Sequence, residues 1–110
     1  TMALVCASSA VIVAIGAVLD VQAQYGDPTR ALHAVITGIG FLGAGLIFTN
    51  TRAGSSGIGG VTTAATVFAT AAVGVGVGLG FQVAGAGLTL VILIILRSTQ
   101  VIEATTNRHD

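Results

Sequence analysis

Charge is what this sequence has least of. Only 7% of its 110 residues are charged, as four Arg, four acids and no Lys. A soluble domain carries about 25% charge, and a chain this short has much surface to cover around a small core. So few charges weigh against a soluble fold. The formal net charge is zero, so no basic excess points to nucleic acid or to an acidic partner. Cys6 is the only cysteine, which excludes an intrachain disulfide and a thiolate metal cluster. Inside an apolar run it reads as a small packing side chain.

The groups that carry catalysis are equally sparse. No serine, histidine and acid fall at a credible catalytic spacing, and no carboxylate pair lies within an apolar run. An enzyme is not expected, and neither are catalytic, cofactor-binding or metal-binding residues. Magnesium would want one or two carboxylates plus water. Asp20 and Asp27 share one polar stretch, but capping and ion pairing account for them at less cost. His33 stands at a helix start and His109 in a polar tail, and neither marks a site. Gly38-Ile39-Gly40-Phe41-Leu42-Gly43 spells the dinucleotide fingerprint. That motif needs a preceding strand and an acid about 20 residues further on. Here the glycines sit within an apolar run, and no acid occurs between Asp27 and Glu103.

What the sequence does have is long apolar runs, with 54% hydrophobic residues. The charges stand at positions 20, 27, 30, 52, 97, 103, 108 and 110, and the gaps between them set the topology. Roughly 20 apolar residues cross a bilayer. The gaps hold one crossing each at 2–19 and 31–48, the second helix being placed at 29–48. The charge-free stretch from Ala53 to Leu96 suits two, at 61–79 and 83–97, with a turn near Gly78-Leu79-Gly80-Phe81-Gln82. A β-barrel would need alternating strands of about 10 residues, and only Gly74 to Gly80 alternates in that way. The fold expected is an all-α polytopic transmembrane bundle of about four helices over 1–97, followed by a polar tail, 98–110. Arg52, Arg97 and Arg108 would share one side and Arg30 the other. The positive-inside tendency then puts both ends in the cytoplasm.

Spacing within the runs assigns faces. Asp27-Pro28 reads as a helix start, with Asp27 accepting first-turn N–H groups and Pro28 at the first helical position. Arg30 stands three residues from Asp27, within reach of an ion pair. Along the second helix, Arg30, His33, Thr37, Gly40 and Ala44 form a polar-to-small face. Ala34, Gly38, Phe41 and Gly45 form its neighbour, and Ile36, Ile39, Leu42 and Leu46 the remainder. Two small faces predict close packing on two neighbours, hence a central helix. The third helix carries Thr62, Thr66, Thr70, Gly74 and Gly78 in steps of four. Helix packing explains that ladder best, with a permeation path as the alternative. Leu88 to Leu96 is bulky throughout, which predicts a fourth helix against lipid.

Three blocks together are specific. Asp27-Pro28-Thr29-Arg30, then Gly38 to Gly45 with Gly38, Gly40, Phe41, Gly43 and Gly45, then Val61-Thr62-Thr63-Ala64-Ala65 through Phe68 resemble the membrane domain of the MgtC/SapB family, in family order. The resemblance implies a bacterial inner-membrane protein of about five helices, without enzymatic activity. It implies regulation of other membrane proteins during adaptation to low magnesium, acid or host stress, with a virulence role in pathogens. A small magnesium or proton channel using the Thr62/Thr66/Thr70 stripe is the alternative. The partners expected are the bilayer, other membrane proteins and a second copy of the chain, and no nucleic acid. Three departures stand out. The family places one more helix before the position of Thr1, so an N-terminally truncated fragment is expected. Gly59-Gly60 replaces an Arg-Gly pair, leaving Arg52 earlier in a longer loop. A soluble C-terminal domain carried by some relatives is replaced by the tail after Arg97.

Overall fold

The structure, a computed structural model, describes residues 1–22, 27, 29–52, 58–106 and 108, and the side chains of all of these except 50–52, 58 and 59. Four helices follow in order: α1 (Met2–Gln22), α2 (Arg30–Arg52), α3 (Ile58–Gly78) and α4 (Gln82–Thr106). No strand occurs among the described residues. All four are long and apolar enough to cross a membrane. The 21 residues of α1 reach about 31 Å at 1.5 Å per residue, which matches the hydrocarbon core of a bilayer.

Local chemistry sets the helix ends. Asp27 accepts from the Thr29 amide at 3.0 Å and from the Thr29 hydroxyl at 2.7 Å, closing off the start of α2. Pro28 and Arg52's side chain lie outside the described residues. The α3 end is a Schellman motif. The Phe81 amide donates to the Gly76 carbonyl at 2.9 Å and the Gly80 amide to the Val77 carbonyl at 3.0 Å, with Gly80 at φ 89°. At the other extreme, α4 runs past Arg97 to Thr106, so most of the segment read as a polar tail is helix. A charge ends a membrane span without ending the helix, and nothing from Arg97 to Thr106 breaks one.

The centre of the bundle is α3, which packs on α1, α2 and α4. α2 packs on α3 and α1, and α4 makes its helix contact with α3 alone. This overturns the expectation that α2 is central. α2 packs inward with its larger side chains. Leu32, Val35 and Ile39 face Phe68, Ala71 and Val75 of α3 across an apolar crevice of about 160 Å³. Its small faces are turned away. Without a hydrophobic force between helices in lipid, small residues permit close approach but do not require it.

The molecule measures 63 × 33 × 17 Å and exposes 7961 Å². A soluble monomer of 10.8 kDa would expose about 5,500 Å² by the usual scaling. Among the described residues, the buried apolar side chains are Val13, Val35, Val67 and Ala71. Leu90, Ile94 and Ile95 of α4 are among many large apolar side chains left outward. Such a surface is stable only where something apolar covers it, and a bilayer does.

Candidate functional site

Among the described residues, a tight backbone contact joins α1 to α3. A Cβ placed on Gly74 would strike the Cys6 carbonyl oxygen and come within 3.1 Å of the Cys6 Cα. One placed on Gly78 would strike the Ala10 carbonyl and come within 3.0 Å of the Ala10 Cα. One turn earlier, the Thr70 hydroxyl stands 3.9 Å from Met2 Sδ. Met2, Cys6 and Ala10 thus step in parallel with Thr70, Gly74 and Gly78. The hydrogen that each missing Cβ would replace points at a carbonyl, the geometry of a weak Cα–H···O contact. Sequence reasoning found the α3 half of this seam and missed the α1 half. The signal was there, as residues 2, 6 and 10 fall at the same four-residue spacing.

Thr66 and Thr70 of the ladder each donate to their own helix. Thr66 donates to the Thr62 carbonyl at 2.9 Å and Thr70 to the Thr66 carbonyl at 2.8 Å. Thr66 and Thr70 border a groove of about 350 Å³ shared with Met2, Cys6, Ile92 and Leu96. Hydrocarbon therefore makes up most of its wall. Among the described residues, no three His, Cys, Asp or Glu side chains stand together as a metal site would require.

The three sequence blocks meet unevenly. Gly43 of α2 faces Ala64 of α3, whose Cβ lies 3.6 Å from where a Gly43 Cβ would be. The glycine block and the Thr-Thr-Ala-Ala block are therefore in contact. Thr62, Thr63 and Ala65 are exposed, and Ala65 borders the α3–α4 groove with Thr62. Gly38, Gly40 and Gly45 differ from Gly74 and Gly78, because an added Cβ meets nothing within 4 Å. Phe41 is 81% exposed between them. Arg30, His33, Thr37 and Ala44 are exposed as well. The small surface of α2 has no occupant within the described chain.

The first block sits at the polar end of α2. The Thr29 hydroxyl, then its amide, hold the Asp27 carboxyl below the usual carboxylate range, with His33 and Arg30 adding as nearby cations. A depressed native pKa favours the folded cap above the unfolded value, about 3.9. That preference is lost as pH falls through the lower native value. Protection of the Thr29 amide, its exchange rate measured against the intrinsic rate at the same pH, should therefore fall in acid below about pH 4. Asp27→Asn keeps an acceptor and should remove that loss of protection, whereas Asp27→Ala should show weak protection at every pH. Protection that does not change with pH in the native chain would dismiss the cap.

Four apolar spans, a small buried core and a lipid-compatible surface define a multi-pass helical membrane protein. The MgtC family model matches residues 1–105, and the chain belongs to that family. No curated protein and no solved structure matches it.

Proposed function

We propose that the protein acts in a bacterial inner membrane by binding and regulating other membrane proteins, in adaptation to low magnesium, acid or host stress. Contact is made through the outward flank of α2 formed by Arg30, His33, Thr37, Gly40 and Ala44. The observation that carries this is the contrast among glycines. Gly74 and Gly78 of α3 are filled by α1, whereas Gly40 opens onto space wide enough for a side chain. A small stripe beside a polar helix end suits close approach by a foreign helix, with Arg30 and His33 supplying donors near the membrane surface. Both ends of the described chain face the cytoplasm in this arrangement, following the arginine asymmetry.

Complementation tests it. In a host lacking its own copy and failing to grow at low magnesium, the native chain should restore growth and Gly40→Leu should not. The variant protein should be present at native level with unchanged thermal unfolding. Full restoration by Gly40→Leu would sink the reading. Magnesium or proton flux into liposomes above that of empty vesicles would sink it too, in favour of transport along the threonine stripe.

A further inference from the structure

The two sides of α4 differ. Gly85, Ile92 and Leu96 are less exposed than the rest of the helix, and among the described residues α4 packs against α3 alone. Around the helix from them runs an open groove made by α4 itself. Leu90, Leu93 and Ile94 line its lower part, each more than half exposed. Arg97 and Ser98 stand at its middle. Val101 and Ile102, exposed to a similar degree, continue it past the charge.

Arg97 is a cation without a counter-charge. Among the described residues its guanidinium has no ion pair, and the Ser98 hydroxyl has no hydrogen bond. Thr99, Thr105 and Thr106, by contrast, each donate to the carbonyl four residues back, at 2.9 to 3.1 Å. The nearest acid in sequence, Glu103, stands five full turns beyond Gly85 and so on the α3 side of the helix. Depth along the groove follows that of a lipid. From Arg97 to Ile102 the helix rises about 7.5 Å, close to one headgroup layer of roughly 5–7.5 Å. Leu90 to Ile94 lie on the hydrocarbon side of it.

We infer that this groove holds one anionic phospholipid whose headgroup carries no cation, of the phosphatidylglycerol type. Its phosphate meets the Arg97 guanidinium, whose fork of donors suits two phosphate oxygens, and takes a further bond from the Ser98 hydroxyl. One acyl chain lies along Leu90, Leu93 and Ile94, and the glycerol of the headgroup covers Val101 and Ile102. Charge complementarity selects the headgroup. Phosphatidylethanolamine offers the same phosphate but adds an ammonium beside Arg97. This side of α4 has no carboxylate to receive it, since Glu103 is turned away. The inference is independent of the α2 flank and of any protein that binds there.

The chain has no tryptophan, so Leu90→Trp places a single reporter in the groove. It is reconstituted in vesicles of phosphatidylethanolamine and phosphatidylglycerol, with one or the other lipid brominated on its acyl chains. Quenching should show phosphatidylglycerol preferred about fivefold, matching the roughly 1 kcal/mol that one basic side chain contributes at an anionic surface. Adding Arg97→Gln should abolish the preference. So should Val101→Glu, which leaves Arg97 in place but sets a carboxylate four residues from it. Both positions are exposed, so thermal unfolding should match that of the reporter chain. A reporter on α1, Ile15→Trp, should show no preference. Equal quenching by the two lipids in the Leu90→Trp chain overturns the inference, and would mean that another anion, such as a partner protein's carboxylate, serves Arg97. A preference that survives Arg97→Gln, or one equally strong at Ile15→Trp, overturns it as well.

Discussion

Gly74→Leu is expected to part α1 from α3 and to expose Cys6. Overpacking in a filled interior costs about 1–3 kcal/mol where side chains can shift. Here the obstacle is the Cys6 carbonyl and Cα, which move only if the whole helix moves. The cost therefore belongs at the top of that range, about 3 kcal/mol. The single cysteine makes the result easy to read, because Cys6 is half-buried in the native contact. Maleimide labelling in detergent should be at least tenfold faster in the variant than in the native chain. Gly78→Leu should act in the same sense, since Ala10 is as close as Cys6. Gly40→Leu should label at the native rate. If Gly74→Leu also labels at the native rate, the seam is not what holds α1.

That prediction rests on a seam of which the sequence showed one half. Steps of four from Thr62 to Gly78 define a small face whatever surrounds it, because the helical period alone fixes which residues share a side. Which helix fills the face is a matter of three-dimensional packing, and periodicity does not carry that. The same limit explains the misplacement of α2. Its glycines predicted a centre, but in lipid a small face and a large one are equally able to meet another helix or an acyl chain. Val35 and Ile39 went inward, and Gly38 and Gly45 did not.

Where local chemistry decides, more could be read. The charge positions divided the apolar residues into four spans, since no charge is tolerated cheaply in the bilayer. The Asp27 cap follows from residue type and spacing. The end of α4 did not, because a charge such as Arg97 does not break a helix and α4 continues to Thr106.

Gly80→Val should detach α4 while leaving the other three helices together. Gly80 is the left-handed residue that closes α3, with φ 89°. An L-residue in that region costs about 1–2 kcal/mol, and a branched Cβ lies toward the upper end or beyond. Both closing bonds, from Gly80 to Val77 and from Phe81 to Gly76, depend on that conformation. α4 has little else to hold it. It makes its helix contact with α3 alone, and beside the turn Gly85 lets Val77 come within 3.0 Å of a would-be Cβ. Losing the turn should therefore raise hydrogen exchange across Gln82 to Leu90 by roughly tenfold or more, the equivalent of 1.4 kcal/mol of local opening. Exchange in α1 and α3 should stay near native. Gly80→Asn should fall between native and Val, because asparagine tolerates the left-handed region better than other side chains. Equal protection of α4 in all three proteins would mean that Gly85 and its neighbours, not the turn, hold the helix in place.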